Sequence, residues 1–120
     1  MFSIEVDKGT KLLTIRYAGA ITAEEVERCA ADFESRLSEL ESGFRLLTDL
    51  TRLDSMEVKS VQHIRRMMDL ANSRGVALVV RVIPDPQKDI GLNILSLFHY
   101  HRRVRILTCE TLQQAMRALA

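Results

Sequence analysis

The 120-residue chain has little cysteine, almost no net charge and no long apolar run, and each shortage removes a class of function. Its two cysteines, Cys29 and Cys109, lie far apart and lack a CxxC or histidine-spaced companion, which excludes a structural zinc motif and a dithiol redox motif. Cys29 falls inside a helical pattern and Cys109 at the end of a strand pattern, positions typical of small buried thiols. Seventeen Lys and Arg against sixteen Asp and Glu leave a formal charge of +1, so no overall field recruits nucleic acid or an anionic bilayer. No apolar run approaches the roughly 20 residues that span a membrane. The amino terminus opens at once on alternating Phe2, Ile4 and Val6 instead of the charged and apolar regions of a signal peptide. The expectation is a cytoplasmic protein, with no membrane insertion and no nucleic-acid partner.

Catalytic signatures are missing as well. There is no GxSxG elbow, no HExxH, no Walker loop and no GxGxxG between a strand and a helix. We therefore expect no enzyme, no cofactor and no metal site.

What the chain does have is apolar material for one core. With 47% hydrophobic and 28% charged residues it reads as a single domain over 1–120, without an internal repeat or a low-complexity linker. Residues 2–7 and 11–18 alternate around a turn at Lys8-Gly9, which predicts a hairpin. Gly19 ends the second strand, and Thr22 with Glu25 forms a capping box that opens a helix. Val26, Ala30, Phe33, Leu37 and Leu40 make its inner stripe, with Gly43 as its terminator. A strand over 44–50 and a helix over about 56–74, with Val61, Ile64, Met68 and Ala71 inward, come next. The run Val76 to Ile83 is nearly all apolar and rich in β-branched residues, which predicts a central parallel strand covered on both faces. Pro84-Asp85-Pro86 breaks it. A helix over 87–100, a strand over 104–108 and a terminal helix opened by a second capping box, Thr111 with Gln114, complete the chain. The order ββαβαβαβα predicts an α/β fold with a mixed, largely parallel five-stranded sheet and four helices.

Three polar stretches stand out. Phe98 to Arg103, with Arg105 beyond, reads either as a solvated helix end or as an anion or partner patch. His99 and His101 diverge on a helix and do not share a metal easily. Asp85 to Asp89 follows a strand, where open α/β sheets bind ligands, but Asp85-Pro86 equally matches an N-cap and its following proline. Asp49 is expected at a strand end beside the next helix's amino terminus, anchoring that loop, and His63, Arg65 and Arg66 are expected on a solvated face.

The segment Leu46-Leu47-Thr48-Asp49-Leu50-Thr51-Arg52-Leu53, followed by a helix with Val61 and Ile64, resembles the STAS domain of anti-sigma-factor antagonists, also called SpoIIAA-like. In that family the third strand ends in Asp-Leu-Ser and leads to Asp-Ser-x-Gly-Leu. The order of elements and the closing Glu110 to Met116 extend the resemblance over nearly the whole chain. Alignment from Asp49 places the family's switch serine on Val58, its aspartate on Glu57 and its glycine on Ser60. Because Val58 cannot be phosphorylated, the chain resembles the divergent STAS/SEC14-like members. The resemblance implies a non-catalytic regulatory module that binds a sensor, kinase-like or sigma-regulatory protein through Asp49, Asp54, Ser55, Glu57, Lys59 and Ser60, with a homodimer as a further option. The alternative it implies is a small-molecule or lipid binder with a pocket near 90–102, lined by Leu95, Phe98, Tyr100 and Arg102.

Overall fold

The structure is a computed structural model that describes residues 1–85 and 99–120. Its five strands are β1 (Phe2–Asp7), β2 (Leu12–Ile21), β3 (Arg45–Met56), β4 (Leu78–Val82) and β5 (Arg105–Cys109). They lie side by side in that order, with β1 antiparallel to β2 and every later neighbour parallel. Among the described residues there are three α-helices, α1 (Ala23–Leu37), α2 (Val61–Ser73) and α3 (Leu112–Leu119). That is one fewer than expected, because all but the last two residues of the helix placed at 87–100 lie outside the described residues.

Helices α1 and α2 cover one face of the sheet. Val26, Ala30, Phe33 and Leu37 of α1 and Ile64, Met68 and Ala71 of α2 form the main core with Leu13, Ile15, Leu46, Leu50 and Val79. The inward stripes are thus those the helical spacing predicts. On the other face, α3 buries Ala115 and Leu119 against Leu47, Val80 and Val82. Strand β4 is covered on both sides as its apolar run implied, yet it stands fourth of five, and β3 occupies the middle.

Several boundaries shift for local reasons. Helix α1 ends at Leu37 with Ser38 as its C-cap, well before Gly43, while Leu40 still packs against the core. Strand β2 runs through Gly19, whose φ of +80° coincides with a shift in register against β3, so the glycine serves an irregularity inside the strand and does not end it. In the first turn Lys11 adopts the left-handed conformation at φ 55°, and the Asp7 carboxylate accepts from the Thr10 N–H at 3.2 Å. Thr22 and Glu25 form a complete capping box, with the Glu25 N–H donating to Thr22 Oγ1 at 3.2 Å. The second box is half formed. Thr111 Oγ1 accepts from the Gln114 N–H, but the Gln114 side chain reaches back one residue further, to the Glu110 N–H at 2.9 Å.

Candidate functional site

The junction between β3 and α2 carries four of the six residues expected to meet a partner at its surface. Strand β3 does not stop at Leu50 but extends to Met56, and past Asp49 it pairs with β2 alone, since the β3–β4 ladder ends at Asp49 and Val82. Asp54 and Ser55 therefore sit in strand, with Ser55 opposite Ala20, and both are exposed. Polar residues alternate poorly in a strand whose far end is solvated, which is why this extension reads as a loop in sequence.

Glu57 is committed to the scaffold. Its carboxylate accepts from the Ala23 N–H at 2.9 Å, satisfying an orphan donor of the first turn of α1, while its own N–H donates to the Ile21 carbonyl at 3.0 Å. A short 3₁₀ turn, Val58–Ser60, then leads into α2. Val58 is 86% exposed and Lys59 is exposed beside it. Val58 is not among the contact residues the resemblance implies; the sequence signal for it is an apolar residue at the position where the STAS motif carries its hydroxyl.

The other two expected contact residues are buried. Asp49, 8% exposed, accepts from the Thr51 N–H at 3.0 Å and from the Thr51 hydroxyl, and faces Arg16 Nε at 3.6 Å. It anchors the strand, not the amino terminus of α2. Ser60 is 1% exposed, and its Oγ finds no hydrogen-bond partner among the described residues. An unsatisfied buried hydroxyl costs stability, so Ser60→Ala should raise the unfolding free energy by about 1 kcal/mol in urea denaturation. An unchanged or lower value would show that the hydroxyl is satisfied in solution.

Of the residues named for the alternative pocket, Leu95 and Phe98 lie outside the described residues. Arg102 is exposed. Tyr100 lines a largely apolar cavity of about 40 Å³ between the sheet and helices α1 and α2, together with Tyr17, Phe33, Thr48 and Arg81. Burial pushes the Tyr100 hydroxyl up to about 12 against the pull of Arg81, to which it is hydrogen-bonded. Arg81, 2% exposed, is the surprise of the apolar run, since a guanidinium is seldom fully buried. A lipid or drug-sized ligand needs about 300 Å³ or more, so this cavity as it stands is sized for water. A cleft of about 770 Å³ opens instead past the carboxyl ends of β4 and β5, between Phe2, Arg16, Arg52, Pro84 and Thr111.

Buried Cys29 touches the Tyr17 hydroxyl at 3.5 Å, and burial pushes its thiol up to about 11, which keeps it in the unreactive protonated form at neutral pH. His99 lies 2.6 Å from the Asp69 carboxylate in a shallow hollow on the outside of α2. His101 accepts through Nδ1 from the Arg103 N–H at 3.1 Å and so shares no site with His99. Among the described residues no group of three His, Cys, Asp or Glu side chains could hold a metal, and no helix is long and apolar enough to cross a membrane.

No family model and no curated protein matches the sequence. Solved structures do. An uncharacterised protein of the DUF3478 family from Shewanella loihica PV-4, described as having a SpoIIAA-like fold, aligns over 99% of this chain and 94% of its own at 16% identity and a TM-score of 0.72. The Bacillus cell-fate determinant SpoIIAA in its phosphorylated form aligns over 100% of both chains at 17% identity and a TM-score of 0.65. An anti-sigma factor antagonist from Mycobacterium paratuberculosis covers 99% of this chain and 94% of its own at 15% identity and a TM-score of 0.60. With β1 to β5, α1 and α2 arranged as the STAS resemblance implied, this chain has the SpoIIAA-like fold.

Proposed function

We propose that the protein is a non-catalytic regulatory module that binds a protein partner at the β3–α2 junction. The observation that carries this reading is Val58, a valine 86% exposed on a short turn that two rigid neighbours hold in place, the end of β3 and the start of α2. An apolar side chain presented this way on a fixed scaffold is suited to fill a partner's pocket, with the exposed Asp54, Ser55 and Lys59 close to it along the chain as polar surroundings. The fold it shares with anti-sigma factor antagonists supports a partner of the sigma-regulatory or kinase-like kind. Since Val58 has no hydroxyl, association there is constitutive or controlled through the partner, not by phosphorylation of that position.

The test is affinity capture from the cells that express the protein, comparing wild type with Val58→Asp and with Met116→Asp, a second exposed apolar residue on α3. A stoichiometric partner should be lost at least about tenfold with Val58→Asp and retained with Met116→Asp. Equal recovery by the wild type and both variants, or no partner at all, would overturn the reading.

A further inference from the structure

Strand β1 is an edge of the sheet, paired with β2 alone among the described residues. Strands β2 and β3 lie between it and β4, the strand after which residues 86–98 follow. The Ala18 N–H donates to the Met1 carbonyl at 2.8 Å, and the Met1 nitrogen donates back to the Ala18 carbonyl at 3.0 Å, so these two residues are a hydrogen-bonded pair. The register runs on from there without a shift. Ser3, Glu5 and Asp7 therefore bond to β2, and the backbone N–H and C=O groups of Phe2, Ile4 and Val6 point outward. Among the described residues those outward groups have no backbone partner. The strand carries no proline, no lysine and no bulge, the devices that commonly blunt an edge. Phe2, Ile4 and Val6 are half-buried and pack against the main core, while Ser3, Glu5 and Asp7 are exposed on the other face, where Glu5 pairs with Arg16 at 3.1 Å.

We propose that β1 pairs with β1 of a second copy of this chain, antiparallel about a twofold axis at Ile4, which joins two five-stranded sheets into one. The segment Phe2-Ser3-Ile4-Glu5-Val6 is self-complementary about that centre: Ile4 meets its own copy, Phe2 meets Val6, and Ser3 meets Glu5. Of the antiparallel registers, this one engages all three outward-facing residues, for about six backbone hydrogen bonds. Apolar side chains then oppose apolar ones on the face that packs against the core, and no two carboxylates are opposed. On the other face each Glu5 lies across from a serine whose neighbour on β2 is Arg16, so opposite charges flank the seam on both sides. This self-complementarity selects a second copy over a strand of a different protein. A twofold pairing consumes the β1 edge of both copies and closes at a dimer. It uses none of the residues of the β3–α2 junction, so Val58→Asp leaves it intact.

Sedimentation velocity of the full chain tests it, over a concentration series from about 1 μM to about 1 mM, the range in which a small interface associates. The expected result is a reversible monomer–dimer equilibrium. Ser3→Glu sets a carboxylate opposite Glu5 of the second copy, yet within one copy it faces Arg16 on β2, so the fold is kept while the dimer weakens at least about tenfold. Exchanging the two residues, in Ser3→Glu/Glu5→Ser, restores the complementarity and should return the affinity to within about threefold of wild type. Ile4→Pro removes an outward N–H without touching a bond to β2 and should also weaken the dimer, with circular dichroism as the check on folding. Val58→Asp should dimerise like the wild type. A chain that stays monomeric throughout overturns the proposal and leaves the edge to a strand of a different protein. A dimer that Ser3→Glu does not weaken, that the exchanged variant does not recover, or that Val58→Asp abolishes also overturns it.

Discussion

Replacing Gly75 with alanine is expected to lower the unfolding free energy by about 3 kcal/mol. The residue follows α2 at φ +87°, where it completes a Schellman cap: the Gly75 N–H donates to the Asn72 carbonyl at 3.2 Å and the Val76 N–H to the Ala71 carbonyl at 3.1 Å. A left-handed alanine alone costs about 1–2 kcal/mol. Its Cβ would also fall on the Ser42 hydroxyl, with Ser42 Cβ at 3.1 Å, and the backbone is not free to retreat because the Gly75 carbonyl accepts from the Gly43 N–H at 2.7 Å. The two costs separate in a double variant. Adding Ser42→Gly should return the steric part and leave the conformational part, as read from urea midpoints. Full recovery would mean that the left-handed backbone costs nothing here, and no recovery would mean that Ser42 moves aside freely.

Phe33→Ala should be more damaging still, at about 4 kcal/mol. The ring is fully buried on the inner stripe of α1 and already borders the cavity of about 40 Å³, so its removal enlarges an existing void instead of creating a separate one that neighbours could fill. Benzene should then raise the melting temperature of the variant and leave that of the wild type unchanged, since a dry apolar void binds an apolar guest and any ligand selective for the native state stabilises it. Phe33→Leu, which keeps most of the volume, should cost less than about 1.5 kcal/mol. A loss below about 2 kcal/mol for the alanine variant, with no response to benzene, would show that α1 collapses onto the sheet.

Much of this architecture is legible in sequence because its signals are local. The Thr22–Glu25 box and the stripe from Val26 to Leu37 connect residues three or four apart, and the structure has both. The boundaries that shifted did so where a neighbour decides. Thr51 to Ser55 look like a loop because all but Leu53 are polar, yet they continue β3 because β2 runs alongside them. The half-formed box at Thr111 differs by a single residue, a choice made by the turn that brings the Glu110 N–H within reach of Gln114.

At the candidate site the division is sharper. Asp49, Ser60 and Arg81 are a carboxylate, a hydroxyl and a guanidinium that sequence alone expects near water, and all three are buried. Val58 is an aliphatic side chain, and it faces solvent. Burial is a property of everything that packs around a position, so periodicity predicts it only where one face of a regular element dominates. By itself the sequence determined the five strands, the helices α1, α2 and α3, their order and the absence of a hydroxyl at position 58, all of them properties of near neighbours along the chain. Only the tertiary structure decided that Val58 stands exposed, that Asp49 and Ser60 do not, and that Asp69 and Asn72 hold His99 and His101 beside the arginines of α2. Those contacts join segments about 30 residues apart, and packing, not local pattern, sets the distance between them.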